Sequence, residues 1–119
     1  LIKMKKGNII LEKSFNFALQ IIELYKQLIT EKEFVLSKQL LRSGTSIGAN
    51  VEEATAAVSK KGFTAKMSIA SKEARETRYW IRLLDKSKFV NIDFNAHLND
   101  IEQLVNILTA IVKTSQEKC

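Results

Sequence analysis

Apolar residues recur with helical period in four stretches of the chain. The first stretch, about 14–30, sets Phe17, Ala18, Ile21, Ile22, Leu24, Tyr25, Leu28 and Ile29 on one side and Asn16, Gln20, Glu23 and Gln27 on the other, with Ser14 as the expected N-cap. In the second, about 34–58, Leu36, Leu40, Ile47, Val51, Ala54 and Val58 fall within an arc of roughly 60°. The third, about 60–87 with Ser59 as N-cap, carries Phe63, Met67, Ile69, Ala70, Ala74, Thr77, Trp80, Ile81, Leu83 and Leu84 over roughly 200° of arc. In the fourth, about 94–115, Leu98, Ile101, Leu104, Val105, Leu108, Ile111 and Val112 face inward, and Asp93 or Asn91 caps the start. Links near 31–33, 59–60 and 88–93 are short, which predicts an all-α, antiparallel, up-down-up-down four-helix bundle in one domain spanning 1–119, with the tail from Ser115 to Cys119 frayed. The wide arcs on the first and third helices exceed what a helix packed on one side needs, which points either to burial against a second subunit or to a central place for these helices in the bundle.

Composition agrees. The 119 residues include no Pro and only four Gly, too few turn residues for a sandwich or barrel. Two of the glycines interrupt Ser43-Gly44-Thr45-Ser46-Ile47-Gly48, which reads locally as a loop. The apolar phase runs unbroken through it, so one continuous helix is expected, with Gly44 and Gly48 one turn apart and permitting close helix approach. A phosphate-cradling loop would need a strand before it and Lys-Ser/Thr after it, and neither is present.

The polar residues predict how the second and third helices meet. With a turn near 59–60 and antiparallel helices, residues whose numbers sum to about 119 lie at equal height. That sets Glu53 opposite Lys66, Ser46 opposite Glu73 and Arg42 opposite Glu76, a polar seam to which Asn50 also belongs. Glu73 and Glu76, at i and i+3, are also the residue types of a carboxylate dyad or metal pair. A di-metal bundle, however, needs Glu-x-x-His on two helices, and the single His97 has no Glu three residues before it. His97 is expected to face solvent or bond locally. The single Cys119 excludes an internal disulfide, and no nucleophile–base pair suggests a hydrolase. No metal, cofactor or small-molecule substrate is expected. No apolar run approaches the roughly 20 residues that span a membrane, and Ile9-Ile10-Leu11 is too short for a signal-peptide core, so a cytoplasmic protein is expected. Met4 is a candidate start, which would leave Leu1 to Lys3 outside the native chain.

The net charge of +6 is concentrated in residues 38–88, where 11 basic side chains meet 5 acidic ones. Lys72, Arg75, Arg78, Arg82 and Lys86 fall within roughly 120° of arc on the third helix; Lys61 extends the stripe, and Lys60 and Lys88 stand at its ends. A stripe of this kind is either a solvated face or the footprint of a phosphate-bearing partner. Trp80 sits in the apolar arc and reads as core or interface rather than as a stacking platform.

The run from Gln39 to Ala54, with Arg42-Ser43-Gly44-Thr45-Ser46-Ile47-Gly48-Ala49-Asn50 at its centre, resembles the signature helix of the four-helix-bundle proteins encoded by intervening sequences in bacterial large-subunit rRNA genes. That family is related to the accessory variability determinant of diversity-generating retroelements. Phe63, Lys66, Ile69-Ala70, Lys72-Glu73-Ala74, Glu76-Thr77 and Tyr79-Trp80 match its second motif. The resemblance covers about residues 11–115, and departs from many relatives at Glu52-Glu53-Ala54, where those carry Ala-Glu-Gly. It implies a non-enzymatic bundle assembling as a ring-like homopentamer, and in the retroelement branch a nucleic-acid-binding partner of a reverse transcriptase. The functions left in contention are binding of structured RNA through the basic face of the third helix, and a protein-interaction scaffold without nucleic-acid contact.

Overall fold

The computed structural model describes residues 2–117, with side chains described from residue 9 onward. It is all-α: four helices, α1 (Ile2–Thr30), α2 (Leu36–Thr55), α3 (Lys60–Ser87) and α4 (Asn95–Glu117), with no strand among the described residues. α2 packs against α1 and α3, and α4 against α3 and, more sparsely, α1; the diagonal pairs do not approach. The bundle is 46 Å long and 20 Å across, the length expected when helices of 28 or 29 residues at 1.5 Å per residue lie along one axis.

The core follows the apolar stripes. Ile21, Leu24 and Leu28 of α1, Leu40, Ile47 and Val51 of α2, Met67, Ile81 and Leu84 of α3, and Ile101, Leu104 and Leu108 of α4 are all buried. Each such side chain contributes about 1.5–3 kcal/mol relative to exposure. α2 runs unbroken through Gly44 and Gly48. Both glycines face α1. A Cβ built on Gly44 would lie 2.9 Å from both Cγ atoms of Ile21, and one on Gly48 would lie 3.3 Å from the Ser14 carbonyl oxygen.

Several boundaries differ from the sequence expectation. α1 begins at Ile2 rather than at Ser14, which is buried within the helix and donates from Oγ to the Leu11 carbonyl at 3.3 Å. Serine resembles a cap in sequence, but here it is a small side chain facing Gly48 of α2. α2 spans Leu36–Thr55 rather than 34–58, and Val58, expected in the apolar stripe, is fully exposed in the link to α3. α4 continues past Ser115, which is buried and hydrogen-bonded to Thr64 of α3, so the fraying expected from Ser115 does not occur through Glu117; residues 118 and 119, Cys119 among them, lie outside the described residues.

Caps set the remaining ends. Ser59 Oγ accepts from the Gly62 amide at 3.0 Å and starts α3; Asp93 Oδ1 accepts from the Asn95 amide at 2.9 Å and starts α4. α1 ends with Lys32 in the left-handed region at φ 65°, its amide bonded to the Ile29 carbonyl at 3.0 Å, while the Glu33 amide reaches the Leu28 carbonyl at 2.9 Å. That is a Schellman closure made without glycine. Glu33 is itself 3% exposed and turns its carboxylate onto the first amides of α2.

Candidate nucleic-acid interface

α3 faces α2 on one flank and α4 on the other, which separates its polar residues into two sets. On the α2 flank, Lys66 Nζ lies 2.6 Å from Glu53 Oε1, and Arg42 Nη2 lies 3.5 Å from Glu76 Oε2, which also accepts from Trp80 Nε1 at 3.1 Å. Both ion pairs are substantially exposed, so each is worth at most about 1 kcal/mol. Ser46 does not meet Glu73. It bonds within α2, where Asn50 Nδ2 donates to its carbonyl at 2.9 Å and to its Oγ at 3.2 Å. Glu73 is 9% exposed and its Oε1 is buried without a hydrogen-bond partner. The buried rung between these helices is instead a hydroxyl pair: Thr77 Oγ1 donates to Ser43 Oγ at 2.9 Å with both residues at 0% exposure. This pair is not among the rungs expected from the sequence, although it obeys the same height relation, since 43 and 77 sum to 120. Hydroxyls inside apolar arcs read as small core residues.

On the α4 flank stands the basic stripe. Lys60, Lys61, Lys72, Arg75, Arg82, Lys86 and Lys88 are exposed. Arg78 is partly buried and pairs through Nη1 with both oxygens of Glu102 at 3.2 Å. Arg75 Nη2 donates to Thr109 Oγ1 at 2.9 Å, which steadies its stem and leaves most of its five donors free. Arg82 and Lys86 form no ion pair with any described residue. Lys88 ends α3 in the left-handed conformation at φ 57°. From Lys61 to Lys86 the stripe extends about 37 Å at 1.5 Å per residue. Of the arginines on it, only Arg78 is paired with a carboxylate among the described residues.

Elsewhere the structure offers little for chemistry. A half-open groove of about 160 Å³ between α1 and α4 is lined by Lys13, Asn16, Phe17, Gln20, Asp100, Gln103 and Leu104, with Lys13 Nζ donating to Gln103 Oε1 at 3.3 Å. It brings together no nucleophile and base. Among the described residues no group of three or more His, Cys, Asp or Glu is placed to hold a metal, and no helix is long and apolar enough to cross a membrane.

His97 is half-buried rather than solvent-facing, its ring edge-on to Phe94 at 6.4 Å and its Nδ1 buried without a partner. Burial lowers its pKa below the usual 6.5, against the opposing pull of Asp100 and Asp93. The unfolded chain therefore takes up the His97 proton at higher pH than the folded one. The contribution of neutral His97 is complete above pH 6.5 and is lost as pH falls through the lower, folded value. Urea unfolding midpoints should drop between pH 7.5 and 5.5 by more in the native chain than in His97→Gln; equal drops would show that His97 is not the titrating group.

Together these features define a class: an all-α four-helix bundle with a long, weakly neutralised basic face on one helix. The sequence matches the family described as 23S rRNA-intervening sequence protein over residues 6–110, and the chain belongs to that family. A crystal structure of a protein of unknown function from the S23 ribosomal protein family, from Bacteroides thetaiotaomicron, is 45% identical and superposes with a TM-score of 0.86, covering 91% of this chain and 98% of that one. No curated protein matches the sequence.

Proposed function

We propose that this protein is a single-domain, non-enzymatic, cytoplasmic bundle whose helices run antiparallel, up-down-up-down, and which self-associates and binds structured RNA through the α3 face. The rungs Glu53–Lys66 and Ser43–Thr77 support the antiparallel course of α2 and α3, because early residues of one helix meet late residues of the other. Self-association, as a ring-like homopentamer by family resemblance, is supported by apolar side chains that the single chain leaves exposed: Phe15, Leu19 and Ile22 one turn apart on α1, and Ile69 and Leu83 on α3.

The observation that carries RNA binding is the stripe formed by Lys61, Lys72, Arg75, Arg82 and Lys86, exposed along one helix and outside the ion pairs that neutralise other cations. Phosphate contacts of this kind position an RNA without reading its sequence. If about six phosphates are engaged, affinity for a folded RNA hairpin should fall about a thousandfold between 50 and 200 mM salt. Reversing Arg75, Arg82 and Lys86 to Glu should weaken binding at least about 30-fold with the circular-dichroism spectrum and melting midpoint retained. Binding indifferent to salt and to that triple change would reject this face. The remaining reading would then be a scaffold for a protein client, such as a reverse transcriptase, favoured by the apolar stripe on α1.

A further inference from the structure

We propose that Tyr79 is a base-stacking platform in the middle of the basic stripe, and that this face takes unpaired nucleotides of a structured RNA rather than the backbone of a duplex; the proposal rests on the RNA-binding reading above. Tyr79 is 53% exposed, and no described residue bonds its hydroxyl. On the helix surface it lies between Arg75, four residues before it, and Arg82, three after, so a cation stands about one turn away on each side. Lys72 and Lys86 stand about two turns away in the same directions.

The ring is held in place. Trp80 meets it edge-on with centroids 5.2 Å apart and planes at 68°, and Trp80 is in turn anchored through its indole N–H to Glu76. Glu76 is the nearest carboxylate along the helix, and its charge is directed toward Arg42 and Trp80 rather than toward the stripe. An exposed aromatic ring steadied from one side and flanked by unneutralised cations is the arrangement by which single strands are held: bases stack on the ring while phosphates lie along the charges. A duplex has no free base face to offer, and a ring projecting from the middle of the stripe would hold its backbone away from the flanking arginines. The exposed apolar side chains on α1, Phe15, Leu19 and Ile22, are not set within a comparable run of unpaired cations and fit protein contact instead.

The test is fluorescence anisotropy at one salt concentration, with a labelled twelve-nucleotide oligouridine and a labelled twelve-base-pair RNA duplex. Tyr79→Ala should weaken oligouridine binding about tenfold without weakening duplex binding, and Tyr79→Phe should retain both. Oligouridine binding that depends on Arg75, Arg82 and Lys86 but is unchanged in Tyr79→Ala overturns this proposal and leaves the RNA reading standing. Equal losses on both RNAs, or a change in oligomeric state on removing the ring, overturn it as well by making Tyr79 a structural or subunit contact. No binding to either RNA overturns both readings.

Discussion

Gly44→Val should lower the free energy of unfolding by about 3 kcal/mol, and that loss should be strongly non-additive with the loss from Ile21→Ala. The space beside Gly44 is filled by the branch atoms of Ile21: a new Cβ would meet Cγ1 and Cγ2 at 2.9 Å and Cβ at 3.3 Å. These are not the free end of a flexible chain. A β-branched side chain in a helix has one strongly preferred χ1, so Ile21 cannot swing aside without leaving its rotamer. Overpacking of a tight core costs typically about 1–3 kcal/mol, and valine adds two methyl groups beyond the clashing Cβ. The gain in helix propensity over glycine offsets only a few tenths of a kcal/mol. Ile21→Ala alone should cost about 2–5 kcal/mol by opening a cavity. The double variant moves three carbons from one side of the contact to the other and nearly conserves volume, so its loss should fall short of the sum of the single losses by about 2 kcal/mol. Urea unfolding of the four proteins measures the cycle. A neutral Gly44→Val, or strictly additive losses, would mean that α1 and α2 do not meet at this point.

The course of α2 through Gly44 and Gly48 is legible in the sequence because apolar phase is a longer-range signal than the local preference of two glycines. The same holds for Glu53 with Lys66 and Arg42 with Glu76, where opposite charges at matched heights set them close together. Ser46 fails against Glu73 for a reason that residue pairing leaves out: Asn50, one turn on, offers Ser46 a partner on its own helix, and a local bond costs less chain ordering than one across helices. Thr77 with Ser43 went unread because a hydroxyl that bonds another hydroxyl in the core has the same hydropathy pattern as a small packing residue. The start of α1 was misplaced for a related reason, since Ser14 is spent on closeness to Gly48 rather than on a cap. As for the basic face, its arc could be read from the helical period. That Arg78 is neutralised by Glu102 while Arg82 and Lys86 form no ion pair with any described residue depends on which face α4 covers, and this follows from packing.

The short link before α2 holds the other large effect. Glu33→Ala should cost about 2–3 kcal/mol, more than most surface changes and comparable with a core truncation. One carboxylate oxygen of Glu33 accepts from the Val35 and Leu36 amides at 3.2 and 3.0 Å, the other accepts from the Ser37 amide at 2.5 Å, and Ser37 Oγ returns a bond to the Glu33 carbonyl at 2.8 Å. Three of the four amides that a helix start leaves without partners thus share one buried anion, placed where the helix dipole is positive. Alanine removes the acceptor. The Ser37 amide, beneath a residue with 0% exposure, has the least access to replacement water. Glu33→Gln keeps an acceptor oxygen but loses the charge, and should recover about half of the loss. Equilibrium denaturation at neutral pH, with the slope unchanged between variants, gives the comparison. A loss under about 0.5 kcal/mol for Glu33→Ala would show that water serves these amides as well as the carboxylate does, and that α2 needs no cap from the link.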